Sequence, residues 1–230
     1  MKRYVLIVAG GKGLRMGGDL PKQFIPLQGR PVLMHTLERF YQWDASVSLV
    51  LVLPEDHQPY WNMLCKELDC CISHQIVSGG ETRFHSVQNG LSLVEEGGLV
   101  AVHDGVRPFV SLQVIEDCFA EAALKGAAVP VVPIVDSIRK IGEDVTSSHP
   151  VNREQYKAVQ TPQVFQSEIL LKAYRQPYTP AFTDDASVVE VMGIPVSLVA
   201  GNPENIKITT PFDLLIAEAY AISADGKARN

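Results

Sequence analysis

The chain has 230 residues, 46% of them hydrophobic and 20% charged, values of a folded globular protein and not of a disordered one. Its net charge of -6 excludes bulk attraction to nucleic acid or anionic membrane, so any basic site is a local cluster on an acidic protein. No apolar run reaches the length of a membrane span and none resembles a secretory leader. The four cysteines lack metal-type spacing, and the expectation is one cytoplasmic domain over 1–230 with reduced thiols.

The first element is a buried strand, Tyr4 to Ala9, which runs into Gly10-Gly11-Lys12-Gly13-Leu14-Arg15-Met16-Gly17 and then Pro21-Lys22-Gln23. Glycines let backbone N–H groups approach an anion closely, and Lys12, Arg15 and Lys22 add positive charge at the same place. The pattern predicts a polyphosphate cradle. It is not a P-loop, because Gly11-Lys12 is followed by Gly13 where that loop needs Ser or Thr for magnesium. Nor is it a dinucleotide fingerprint, since Met16 occupies the place of the third glycine.

Leu27 to Pro31 reads as a turn, with Pro31 at the first position of a helix whose stripe is Val32, Leu33, Thr36, Leu37 and Phe40. Ser48 to Leu53 is a buried strand. A helix from about His57 to Leu68 and a strand from His74 to Val77 follow. Gly79-Gly80-Glu81-Thr82-Arg83 then leads into a helix marked by Phe84, Val87, Leu91 and Val94. Leu99 to His103 is a strand ending at Asp104; Ser111 caps a helix through Leu124, and Gly126 lies past its end. Ala127 to Val132 is again a buried strand.

This alternation predicts an α/β fold with a doubly wound, mostly parallel sheet, whose ligands sit beyond the carboxyl ends of the strands. The loops Gly10 to Lys22, Gly79 to Arg83 and His103 to Pro108 all fall there, which predicts one shared site. From 136 to 157 the pattern breaks into a polar hairpin arm, which reads either as a dimerisation arm or as a plain surface hairpin. Helices from Ser167 to Tyr174 and from Thr183 or Asp184 to Gly193 follow, then strands Pro195 to Val199 and Asn205 to Thr209. Thr210-Pro211-Phe212-Asp213 is a capping box opening the last helix, with fraying expected after Ala224.

The motifs carry a resemblance. Gly11-x-Gly13-x-Arg15-Met16 with Pro21-Lys22-Gln23 is similar to the signature of sugar- and polyol-phosphate nucleotidyltransferases. The further motifs are Gly79 to Arg83 with Ser86, His103-Asp104-x-x-Arg107, Val151-Asn152-Arg153, Gln160 to Gln163, Thr183 to Ala186 and Asn205 to Thr209. With these, the whole chain resembles the 2-C-methyl-D-erythritol 4-phosphate cytidylyltransferases of the non-mevalonate isoprenoid pathway. Departures are Gly105-Val106 where two alanines are common, Gly10 in an opening that often reads Ala-Ala-Gly, and Asn152 in place of an acid. The first two are shared with ribitol-5-phosphate cytidylyltransferases, the alternative reading beside a non-catalytic nucleotide-binding protein.

The resemblance implies a Rossmann-like nucleotidyltransferase fold and transfer of a cytidylyl group from CTP to a polyol phosphate. It implies a catalytic set of Arg15, Lys22, Arg153 and Lys207. Nucleotide contacts fall to Ala9, Gly10, Gly11, Gly13, Gly80, Glu81, Arg83, Ser86, Asp104 and Gly105. Polyol-phosphate contacts fall to Asp104, Arg107, Ser137, Arg153, Thr161, Thr183 and Lys207, with Ser137 and Arg153 reaching a neighbouring subunit's site. Magnesium (Mg2+) is implied, held mainly by CTP phosphates and water and not by a protein cage. No nucleophile–base pair is evident, and none is needed: a phosphate monoester is largely dianionic at neutral pH, so positioning and charge neutralisation supply the catalysis.

Overall fold

The computed structural model describes residues 1–10, 20–142, 144 and 146–228. β1 (Arg3–Val8) has four consecutive buried residues, Tyr4 to Ile7, as a strand covered on both faces requires. β2 (Pro26–Leu27) and β3 (Arg30–Pro31) form a tight hairpin, closed by Gln28 and Gly29 at φ 49° and 77°. Pro31 belongs to that hairpin and is extended (ψ 138°), so α1 (Val32–Trp43) begins one residue later than expected. Its predicted stripe is buried in full.

β4 (Ser48–Leu53), a 3-10 turn at Glu55–His57 and α2 (Gln58–Glu67) come next, then β5 (Gln75–Ser78) and α3 (Arg83–Leu91). β6 (Leu99–Asp104) leads to α4 (Leu112–Lys125), where Ser111 Oγ accepts the Val114 N–H at 3.1 Å and Gly126 adopts φ 95° past the end. β7 (Ala127–Pro133) precedes the arm, whose β8 (Arg139–Ile141) and β9 (Ser148–Pro150) pair antiparallel, apart from the main sheet and exposed throughout. β10 (Lys157–Val159), β11 (Gln163–Gln166), α5 (Ser167–Ala173), α6 (Asp185–Glu190), β12 (Ser197–Ala200) and α7 (Pro211–Ala228) complete the chain.

β1 lies between β4 and β6, with β5 beyond β4, and all of these pairings are parallel. β11 runs antiparallel between β6 and β7; β10 continues it along β7, and β12 joins the far side of β7 in parallel. The sheet is therefore mostly parallel, as the alternation of elements predicts, and it also carries one reversed line of strand, β11 and β10, that the alternation does not show. Successive side chains of β1 enter opposite cores. Val5 and Ile7 pack with α1 and α4, and Tyr4 and Leu6 with α3 and α5.

Three expectations are corrected. Residues 205–209 form no strand: their one backbone-to-backbone bond across to the main body is Ile208 N–H to Val106 C=O at 3.0 Å, and a single such bond is no ladder. α6 stops at Glu190, three residues short of Gly193. α7 continues to Ala228 instead of fraying after Ala224. The predicted capping box holds, with Asp213 Oδ2 accepting the Thr210 N–H at 2.8 Å and Thr210 Oγ1 accepting the Asp213 N–H at 3.3 Å. Among the described residues no helix is long and apolar enough to cross a membrane.

Gly90 sets how closely α3 approaches the sheet. A Cβ there would lie 2.9 Å from both Leu6 Cδ2 and Val52 Cγ2. Gly90→Val is expected to destabilise the fold by about 3 kcal/mol through overpacking, read as a lower midpoint in urea unfolding; an unchanged midpoint would contradict this packing.

Candidate active site

β1, β4, β5 and β6 end together at Val8, Leu53, Ser78 and Asp104, because their parallel register aligns Val8 with both Val52 and Asp104. Beyond these ends lie two adjoining cavities. The first, about 220 Å³, is lined by Ala9, Gly10, Lys22, Gly80, Glu81 and Ser86. The second, about 340 Å³, is lined by Arg107, Thr161 and Thr183 among others. Arg83, Asp104 and Lys207 line both and form the wall between them.

The expected nucleotide and polyol residues therefore divide between two neighbouring spaces. Gly105 lines neither: a Cβ on it would lie 2.9 Å from Ala9 Cβ, so it is the close-packed floor under the opening loop. Ser137 and Arg153 also line neither. Both are exposed near the arm, where Arg153 Nη1 donates to Val135 C=O. Gly11, Gly13 and Arg15 lie outside the described residues.

Local chemistry fixes each wall of the first cavity. Gly80 N–H donates to Ser86 Oγ at 3.0 Å, and Ser86 O–H donates to Thr82 C=O at 2.9 Å. A Cβ on Gly80 would meet His85 Cβ at 2.5 Å, so this turn admits no side chain. Lys22 opens a 3-10 turn, Lys22–Phe24, whose Phe24 ring is buried against Tyr60 (5.2 Å), His57 (5.7 Å) and Trp61 (6.3 Å). That apolar anchor holds the lysine at the rim.

The dividing wall is electrostatic. Asp104 Oδ2 is 3.0 Å from Lys207 Nζ and 3.1 Å from Arg107 Nε, while Oδ1 is 3.9 Å from Arg83 Nε. Burial opposes ionisation of Asp104, but Arg83, Lys207 and Arg107 outweigh it and hold the carboxyl well below the usual range. Arg83 is gripped from behind: its Nη1 and Nη2 donate to Asp185 Oδ1 and Oδ2 at 2.8 and 2.6 Å, and Tyr174 O–H donates to the same Oδ1 at 2.6 Å. Burial opposes the Arg83 charge, yet Asp185 and then Asp104 raise its pKa above the ordinary value. Three cations and two carboxylates leave the wall with a net positive charge, suited to a polyanion on either side.

His103 holds the turn beneath. Its Nε2–H donates to Arg107 C=O at 3.0 Å, since a carbonyl can only accept. Nδ1 then accepts from Thr161 O–H at 3.0 Å, and Thr161 Oγ1 accepts the Asp104 N–H at 3.1 Å. The Thr161 hydroxyl, expected to meet substrate, is thus engaged in fixing Asp104. Asn205 places Lys207: its Nδ2 donates to Thr161 C=O at 2.8 Å and its own C=O accepts from Arg107 Nη1 at 2.7 Å. Asp185, Tyr174 and Asn205 carried no role in the sequence reading. Asp185 and Asn205 stand inside motifs, the only signal that singles them out; Tyr174 has none.

A model of the IspD family, 2-C-methyl-D-erythritol 4-phosphate cytidylyltransferase, matches residues 4–223. The chain is 58% identical to the protein of that name from Bacteroides thetaiotaomicron, over 95% of this chain and 99% of the relative. It is 56% identical to that from Porphyromonas gingivalis, over 96% and 99%. Among solved structures, the enzyme of the same name from Thermus thermophilus superposes with a TM-score of 0.79 at 34% identity, covering 96% of this chain and 99% of that one. The 4-diphosphocytidyl-2C-methyl-D-erythritol synthase from Anaerococcus prevotii superposes at 0.81 with 28% identity, covering 96% of each.

Burial pushes the His103 pKa down to about 4 from its ordinary value of 6.5. A depressed histidine contributes stability that is complete above the unfolded value and is lost as pH falls from 6.5 towards 4. The expected loss across that window is about 3 kcal/mol, read by urea unfolding at the two pH values. Histidine NMR titration gives an independent check, and a His103 midpoint near 6.5 would contradict the buried, neutral ring.

Proposed function

The chain belongs to the 2-C-methyl-D-erythritol 4-phosphate cytidylyltransferase family, and we propose that its two adjoining cavities hold the two substrates of that one reaction. The enzyme joins CTP and 2-C-methyl-D-erythritol 4-phosphate, giving 4-diphosphocytidyl-2-C-methyl-D-erythritol and pyrophosphate, in isoprenoid precursor biosynthesis. The observation that carries the two-site reading is the shared wall of Arg83, Asp104 and Lys207.

In this reading CTP occupies the first cavity, against the backbone of Ala9 and Gly10 and, by the family pattern, Gly11 and Gly13. Cytosine meets Gly80, Glu81 and Ser86, in a turn that admits no side chain at Gly80. Arg15 and Lys22 neutralise the charge that builds on the α-phosphorus. The polyol phosphate occupies the second cavity near Arg107, Thr183 and Lys207. Its dianionic phosphate attacks the α-phosphorus in line and pyrophosphate leaves; no general base is required. Arg83, paired with Asp185, supports the wall instead of reading the base.

Magnesium fits the donors present. Asp104 lines both cavities and offers hard carboxylate oxygen beside the place of the triphosphate. Bound there, the ion supplies positive charge to the triphosphate. Ser137 and Arg153 serve the second cavity of a partner subunit, with the arm as the dimer contact; the support is their exposure and their absence from either cavity of their own chain.

Two experiments test the reading. Pyrophosphate release is expected with CTP and methylerythritol phosphate and not with ribitol 5-phosphate, and Lys22→Ala is expected to lower turnover by a factor on the order of 10² to 10³ while CTP binding remains measurable by calorimetry. Equal turnover of ribitol phosphate, or near-normal turnover of Lys22→Ala, would refute the corresponding assignment. Deleting 142–148 is expected to weaken both dimerisation, by sedimentation, and polyol-phosphate affinity; a deletion protein that dimerises and turns over normally would remove the arm from the site.

A further inference from the structure

The two oxygens of Asp104 are treated unequally. Oδ2 takes both strong contacts, from Arg107 Nε at 3.1 Å and Lys207 Nζ at 3.0 Å. Among the described residues the contact to Oδ1 is Arg83 Nε at 3.9 Å, beyond hydrogen-bonding distance. Arg83 is long enough and close enough to do more. A guanidinium beside a carboxylate ordinarily settles into a two-bond fork. Here the fork is made, but with Asp185, at 2.8 and 2.6 Å, and only the Nε edge is turned to Asp104.

We propose that Asp185 is a positioning residue that withholds the Arg83 fork from Asp104 and so keeps Asp104 Oδ1 open to substrate. Asp185 is suited to this competition. It is fully buried while Asp104 retains some exposure, so its attraction for Arg83 is the less screened. Tyr174 O–H donates to its Oδ1 at 2.6 Å, which fixes the carboxylate plane opposite the guanidinium. Its place at the first residue of α6, beyond the Asp184 cap, and the stacking of Tyr174 on Phe84 at 4.6 Å give the pair a rigid mount on α3, α5 and α6. Without the Asp185 charge, the fork of the partly exposed Arg83 is released, and Asp104 is the carboxylate already beside its Nε at 3.9 Å. Capture of Oδ1 would then occupy the less engaged oxygen of a carboxylate that lines both cavities. The inference rests on the reading above that Asp104 meets the substrates.

The test is a rescue. Asp185→Asn preserves shape and removes the charge. At a temperature where circular dichroism finds the variants fully folded, Asp185→Asn is expected to raise KM for methylerythritol phosphate about tenfold, as a displaced positioning group does, with KM for CTP little changed. Adding Arg83→Lys to Asp185→Asn keeps the positive charge of the wall but removes the two-bond fork, and is expected to reverse part of that rise. A brace that acts only through stability would move neither KM in fully folded protein. An unchanged polyol KM in Asp185→Asn, or a rise that Arg83→Lys does not reverse at all, overturns the inference. If Asp185→Asn does not fold, Tyr174→Phe loosens the same carboxylate and is read by the same two KM values and the same reversal. Asp104→Asn separates the two levels: wild-type turnover in that variant removes Asp104 from the reaction, whereas an impaired Asp104→Asn beside an unaffected Asp185→Asn removes only the role of Asp185.

Discussion

Asp104 is a carboxylate in a nearly closed site, and it stays ionised only because three cations converge on it from different parts of the chain. Arg107 comes from the turn just after β6, Arg83 from the start of α3, and Lys207 from an irregular segment about a hundred residues further on. Desolvation penalises a lone buried charge heavily, so each partner must be held in place by its own support. That demand accounts for much of the surrounding structure. His103 and Thr161 pin the turn, Asn205 pins the segment that carries Lys207, and Asp185 with Tyr174 pins Arg83.

The same wall divides and joins the two cavities. A cytidylyltransferase must bring two polyanions within bonding distance, against their mutual repulsion. In the proposed arrangement a shared wall of net positive charge serves both substrates at once and requires no proton transfer. The floor is built for close approach: Gly105 under Ala9 and Gly80 against His85 leave no room for a Cβ. Rigidity here is backbone packing, and the charges are mounted on it.

How far the site was legible depended on the range of the interaction. The strand ends, the glycine turns and the charged residues of the motifs could be read because β-alternation, helix stripes and caps are local patterns. Resemblance then supplied roles that no local pattern carries, above all for Arg107, Arg153 and Lys207. The reading failed where a residue's partner is distant in the chain. Asn205 to Thr209 alternates like a strand, but Asn205 and Ile208 are buried by unrelated contacts and no neighbouring strand pairs with them. Arg83, which the resemblance placed among the nucleotide contacts, does line that cavity, but its fork goes to Asp185, 102 residues away, which no local pattern announces.

The sequence by itself determined the alternation of strands and helices from β1 to β7, the mostly parallel sheet and the loops that share a site, since each follows from hydrophobic periodicity and turn chemistry within a few residues. Through its motifs it also determined the family. Only the tertiary structure decided which oxygens and nitrogens face one another. It assigned Thr161 and His103 to the support of Asp104, split the site into two cavities along one wall, and turned Arg83 towards Asp185. Such pairings depend on distances of a few tenths of an ångström between segments far apart in the chain, and only the packed sheet and its helices fix those distances.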